Sequence, residues 1–161
     1  MAYKIRKAGE EDLPRILEIY AYARSFMAVN GNPNQWGNSH PAVSTLEDDI
    51  RNGDLYVVAD PSGIHGVFAF LLGVDPTYLK IFDGNWRSST PYGTIHRIAS
   101  DGSGGILAAA LAYARGVIDH IRMDTHADNH IMQQALIKAG FSRCGIIYIA
   151  DGTPRIAYDL L

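Results

Sequence analysis

The stretch Ile95-His96-Arg97-Ile98-Ala99-Ser100-Asp101-Gly102-Ser103-Gly104-Gly105-Ile106-Leu107-Ala108-Ala109-Ala110-Leu111-Ala112-Tyr113-Ala114-Arg115 decides how this chain folds. Its first part, from Thr94 to Ala99, reads as a strand. Its last part, from Ile106 to about Ile118, reads as an alanine-rich helix with Leu107, Leu111, Ala114 and Ile118 on one face. Between them, glycines let backbone N–H groups turn towards a ligand with no Cβ in the way. The helix mouth beside them offers unpaired N–H donors and a partial positive charge. Such a junction suits a phosphate or pyrophosphate. By spacing alone it is equally compatible with a tight turn that binds nothing. It contains no GxxxxGK[ST], and no GxGxxG follows the first strand, so a Walker-type loop and a dinucleotide Rossmann fold are excluded.

Outward from this junction, strand and helix signals alternate. Tyr3 to Lys7 reads as a strand. A helix follows from Leu13 to about Val29, with acids at Glu10, Glu11 and Asp12 before it and Pro14 in its first turn. Asn30 to Asn34 is turn chemistry, and Trp36, His40 and Pro41 lie in the irregular stretch beyond. Ser44 or Thr45 is the expected cap of a short helix ending near Asn52-Gly53. Leu55–Ala59 and Ile64–Leu72 read as strands of a hairpin turned by Asp60 to Gly63, and Tyr78 to Phe82 as a further short strand. Asp83 to Pro91 is a polar loop that holds Trp86. Ile121–Thr125 is a strand, about Asn129 to Ala139 a helix stopped by Gly140, and Ser142–Ile149 and Arg155–Leu160 a closing hairpin. The expectation is one mixed α/β domain, residues 1–161, on a central, mostly antiparallel sheet.

Composition narrows the function classes. The chain has 161 residues, 47% of them apolar and 19% charged, enough for a packed core and unlike a disordered protein. A net charge of −3 argues against nucleic-acid and anionic-membrane partners, which need clustered Lys and Arg. Cys144 is the only cysteine, which excludes an internal disulfide and a multi-Cys zinc site and suits a reducing cytoplasm. No apolar run approaches the roughly 20 residues that span a bilayer, and the N-terminal stretch lacks the apolar core of a secretory signal. In Asp124-Thr125-His126-Ala127-Asp128-Asn129-His130, two His and two Asp crowd together. The two histidines are expected to straddle a bend, and no metal is expected.

At this point the order of elements resembles the GNAT superfamily of N-acetyltransferases, in particular its small bacterial members. The family's loop, Arg/Gln-x-x-Gly-x-Gly/Ala, is matched by Gly102-Ser103-Gly104-Gly105-Ile106-Leu107 in a shortened form. Asp128-Asn129-His130 through Gly140-Phe141 resembles its Asn-led helix closing in Gly-Phe, and Arg143 to Arg155 its terminal hairpin. The resemblance implies transfer of an acetyl group from acetyl-CoA to a primary amine, a small molecule, amino acid or peptide N-terminus, by direct attack. It implies that backbone groups of Ile98 and Ser100 bond the pantetheine arm between parted fourth and fifth strands. The N–H groups of Gly102, Ser103, Gly104, Gly105, Ile106 and Leu107 would hold the pyrophosphate, and Asn129 would reach the pantetheine.

Many members carry an acidic Tyr one helical turn before the Gly-Phe glycine, where this chain has Leu136. His96 as base and Tyr148 as acid are the substitutes read from the residues, each against a plain packing role. Tyr20, Trp36 and His40 are expected around the acceptor. Two other readings stay open: a non-catalytic acyl-CoA sensor, suggested by Leu136, and a metal-dependent hydrolase using His126 and His130. Exposed strands of the final hairpin are compatible with a homodimer.

Overall fold

Alternation along two strands builds the middle of the molecule. Leu55, Val57, Val67 and Ala69 point to one side and Tyr56, Val58, Phe68 and Phe70 to the other, and all eight are buried. Strands apolar on both sides need cover on both sides. The computed structural model, which describes residues 2–161, supplies that cover with helices on each face.

The elements run β1 (Lys4–Lys7), α1 (Leu13–Val29), α2 (Val43–Asn52), β2 (Leu55–Asp60), β3 (Gly63–Leu72), β4 (Gly93–Ser100), α3 (Ile106–Arg115), β5 (Ile121–Thr125), α4 (His130–Lys138), β6 (Ser142–Tyr148) and β7 (Pro154–Leu160). The seven strands form one sheet in the order β1-β2-β3-β4-β5-β7-β6. Every neighbouring pair is antiparallel except β4 and β5, which are joined through α3. The expected mixed, mostly antiparallel sheet with four helices is the fold observed.

Helices α1 and α2 bury Ile16, Ile19, Tyr20, Ala23 and Leu46 against the β2–β3 side of one face. Helices α3 and α4 bury Ile106, Ala110, Leu111, Ala114 and Leu136 against the other, where Ile95, Ile121, Met123, Ile156 and Tyr158 point. No helix among the described residues is long and apolar enough to cross a membrane.

Three local expectations are corrected. Tyr78 to Phe82 is not a strand: Pro76–Tyr78 is a 3-10 turn capped by Asp75, whose Oδ1 accepts from Thr77 N at 2.9 Å. Only an isolated bridge joins Phe82 to Ile146, because Tyr78 leaves the sheet direction to bury its ring with Tyr92, Ile147 and Ala157. Helix α2 starts from Ala42 without a side-chain cap, so Ser44 and Thr45 lie inside its first turn. Helix α3 stops at Arg115, where Gly116 and a tight turn through Val117 and Ile118 replace the last helical turn.

Helix α3 rests on a glycine. A Cβ at Gly66 of β3 would stand 2.5 Å from Ile106 Cγ2, and Ile106 is only 4% exposed. Gly66→Ala is expected to cost about 1–3 kcal/mol by overpacking. In chemical denaturation, Gly66→Ala should cost less on an Ile106→Ala background, which removes Cγ2, than on the native one, and additive losses would contradict the contact.

Candidate active site

A gap in the sheet defines the site. Strands β4 and β5 pair only at Gly93–Ile121 and Thr94–Arg122. Beyond Thr94 the two part, β4 following β3 to Ser100 and β5 following β7 to Thr125. On the β3 side Val67 faces Ala99 and Ala69 faces His96, so Arg97 and Ile98 together oppose Phe68 in a bulge that bends β4 away.

Arg97 carries the strain of that bulge, with φ at 53°. Two helices hold it there. The Tyr20 hydroxyl of α1 donates to Arg97 O at 2.6 Å, and Asp49 of α2 pairs with its guanidinium at 2.8 Å. Tyr20, expected at the acceptor, is therefore fully buried beneath the bulge, edge-on to Trp36.

The glycine loop closes one end of the gap. Ser100 Oγ accepts from Gly102 N at 3.0 Å and donates to Ser103 O at 2.9 Å, while Ser103 N donates to Asp101 Oδ1 at 3.0 Å. Two of the amides expected to face a ligand are thus spent inside the loop. Those of Gly104, Gly105, Ile106 and Leu107 donate to no acceptor among the described residues. The loop is anchored by Asp101, which binds Arg15 at 2.7 Å and His65 at 2.8 Å, and by the Tyr3 hydroxyl, which donates to Gly104 O at 2.7 Å. A Cβ at Gly104 would meet nothing within 4 Å.

From this loop a cavity of about 300 Å³ runs along β4 between α1 and α4, lined by Phe26, Asn32, Ile98, Ser100, Gly102 and Asn129. It shares Met27, Ile98, Asn129 and Met132 with a second cavity of about 650 Å³. Asn129 caps α4, accepting from Met132 N at 3.0 Å, and donates to Gln35 Oε1 at 3.1 Å. Gln35 Oε1 also accepts from Asn32 Nδ2 at 2.9 Å, which ties the irregular segment after α1 to the far side of the gap. Asn32 is 2% exposed, yet its Oδ1 has no partner among the described residues.

The larger cavity is polar. His96, Asp75, Asp124, Arg155, Trp36 and His40 line it. His96 Nε2 lies 2.7 Å from Asp75 Oδ2. Burial alone would raise the Asp75 pKa, but hydrogen bonds from His96 and Thr77 overcome it and hold the carboxyl down at about 2. Tyr78 donates to Asp124 Oδ2 at 2.6 Å, and burial together with that carboxylate pushes the phenol far above its usual range.

Other expected residues lie elsewhere. Tyr148 does not reach the cleft: it is 47% exposed at the outer edge of β6, its ring against Phe82. Leu136, at the position where the family often has its acid, is wholly buried in the core. Cys144 is buried beside Asp159, and burial with that neighbour pushes its thiol to about 11, far from a reactive thiolate. Trp86 packs on Tyr78 and under Arg122 rather than over the site. His126 Nδ1 accepts from Asp128 N at 3.0 Å within the turn before α4, and among the described residues no group of three His, Cys, Asp or Glu is placed to hold a metal ion. Asp75 and Arg155 had no motif to mark them, and the His/Asp-rich run that holds Asp124 pointed to a metal rather than to this cavity.

A parted sheet with open amides at one end is the architecture of an acyltransferase, and solved structures agree. An acetyltransferase of the GNAT family from Streptococcus agalactiae is 30% identical, with a TM-score of 0.82, covering 99% of this chain and 95% of that one. The chain belongs to the GNAT family of acetyltransferases. A putative acetyltransferase from Staphylococcus aureus shares the fold at 23% identity and TM-score 0.69, covering 96% of each chain. So does a NatC complex bound to Gag peptide and CoA, at 14% identity and TM-score 0.59, covering 99% of this chain and 98% of that one. No family model and no curated protein matches the sequence.

The His96–Asp75 pair has a pH signature. Because the folded Asp75 pKa lies below its unfolded value near 3.9, its stabilisation is complete above pH about 4 and is lost as pH falls through about 2. The excess stability of the native protein over Asp75→Asn should therefore shrink by about 2 kcal/mol across that window. Urea unfolding at stepped pH checks it, and a constant difference would contradict the pairing.

Proposed function

We propose that the chain transfers an acetyl group from acetyl-CoA to a primary amine by direct attack with both substrates bound. The observation that carries this reading is the parting of β4 from β5 beside open amides at the mouth of α3. Backbone edges left unpaired inside a sheet need a partner. An extended chain bearing amides, such as pantetheine, supplies it in the manner of an added strand. The residues present fit this ligand on two further counts. Asn32 Oδ1 is a buried acceptor awaiting a donor at the pantetheine cavity. The N–H groups of Gly104 to Leu107 form a cradle for a diphosphate.

In this reading Ile98 and Ser100 offer backbone groups to the arm, and Asn129 meets it from the opposite wall. The bulge turns an N–H near Ile98 towards the thioester carbonyl, where charge develops in the transition state. His96 is the base. Asp75 keeps the proton on Nε2 and leaves Nδ1 to receive one from the amine through water. With Leu136 in the core and Tyr148 outside the cleft, the proton taken by His96 is the one returned to the departing thiolate. Holding amine and thioester together in the gap supplies most of the acceleration. A cytoplasmic home and a homodimer through the β6 edge, with Phe82 and Tyr148 exposed there, complete the proposal.

Incubation of the purified protein with acetyl-CoA and a panel of amines, read as thiol release with the acetylated amine identified by mass, tests the reaction. Acetyl-CoA binding with no turnover on any amine would favour the sensor reading. Gly104→Asp should leave the unfolding midpoint unchanged, since its Cβ meets nothing, and weaken acetyl-CoA binding tenfold or more by repulsion, about 1.4 kcal/mol. Unchanged affinity would remove the loop from the site. His96→Ala should lower turnover by roughly 10²–10⁴, mainly below the pKa of the acceptor. A loss that is flat with pH rejects its role as base.

A further inference from the structure

Arg155 is a buried charge with no carboxylate partner among the described residues. Arg6, Arg15, Arg97 and Arg122 each hold a carboxylate, at 2.7, 2.7, 2.8 and 3.0 Å. Arg155 is 6% exposed and meets only neutral oxygens: Pro154 O at 2.7 Å, Thr153 Oγ1 at 3.1 Å and Gln35 O at 3.5 Å. It forms no ion pair among the described residues. Burial lowers its pKa, and the fields of Asp124 and Asp151 only partly offset that. A guanidinium kept in such a position lacks the anion its fork of donors is shaped for.

Strand register places it opposite the chemistry. Asp124 faces Ala157 across β5 and β7, so Arg155, two residues before Ala157, lies diagonally from Asp124 on the same face, roughly 7–8 Å away. Thr94 faces Arg122, which puts His96 on that face as well, across the gap. All three line the 650 Å³ cavity. Asp124 is bonded through Oδ2 by Tyr78, and its Oδ1 makes no hydrogen bond among the described residues. One end of the chamber therefore wants an anion, and the other wants an amine.

We infer that the acceptor is an amino acid whose carboxylate pairs with Arg155 while its amino group lies between Asp124 and His96. This narrows the acetyltransferase reading above and rests on it. The short diagonal suits a molecule whose amine and carboxylate are one or two carbons apart. A phosphate is disfavoured, because Asp75, Asp124 and Asp151 share the cavity and its other guanidinium, Arg97, is already paired with Asp49.

The test compares amino acids with their decarboxylated amines, methionine against 3-(methylthio)propylamine and phenylalanine against phenethylamine. Native protein, Arg155→Gln and Arg155→Lys are each measured. Two readouts are taken: turnover with acetyl-CoA, and calorimetric binding of the acceptor to protein saturated with CoA. The native protein should favour the amino acid by about 10–100-fold, mostly in KM, as expected for a charge-assisted pair. Arg155→Gln should erase that preference, and Arg155→Lys should keep part of it. Arg155→Gln should unfold at the same temperature or higher, because it removes an unpaired buried charge. If it does not fold, the Lys variant decides, and an undiminished preference in it overturns the inference. Equal turnover of amino acids and their decarboxylated amines by the native protein would overturn the inference and leave the acetyltransferase standing. Arg155-dependent amino-acid binding with no turnover would sustain the anchor and sink the catalytic reading. No binding and no turnover would sink both.

Discussion

The structure depends on keeping two central strands apart. Backbone N–H and C=O groups in the middle of a sheet pair with their neighbours unless something prevents it. Here the obstacle is the bulge at Arg97 and Ile98, and its cost is a non-glycine residue at positive φ, about 1–3 kcal/mol. The Tyr20 hydroxyl and the Asp49 carboxylate meet that cost by gripping Arg97 from α1 and α2. The helices on this face thus hold the cleft open as well as covering the sheet.

The same sheet face changes character along its width. Under α1 and α2 it is apolar, through Leu55, Val57, Val67 and Ala69. Across β4, β5 and β7 it carries Thr94, His96, Arg122, Asp124, Arg155 and Asp159. Part of that belt is sealed: Asp159 is satisfied by His120 at 2.6 Å and Arg122 at 3.0 Å beneath the 73–92 segment. The rest opens on the cavity, where His96 leans on Asp75 and Arg155 holds no carboxylate among the described residues. Sealed and open ends differ only in whether the chain itself supplies every counter-charge.

How much was legible in the sequence follows from how local each signal is. Helix α4 was readable because Asn129 and Gly140 mark its ends by their own side-chain and backbone chemistry. The strand, glycine loop and helix from Thr94 to Arg115 were readable for the same reason. Tyr20 misled, because helical spacing shows that a tyrosine faces inward but not that its hydroxyl will take a strained carbonyl on β4. Asp75 and Arg155 were not readable as site residues, and Asp124 stood out only as part of a His/Asp-rich run. Asp75 lies 21 positions from His96 in the chain, and Arg155 meets Asp124 only through strand register. The Tyr78 to Phe82 segment reads as β-branched and aromatic, yet Pro76 and the Asp75 cap turn the chain out of the sheet first.

Residue-resolved amide hydrogen exchange with and without acetyl-CoA tests the central claim most directly. The account predicts slowed exchange at Gly104 to Leu107 and along β4 from Ile98 to Ser100, with the β6–β7 hairpin unchanged. Acetyl-CoA that binds while those amides keep exchanging at their free rates would contradict it.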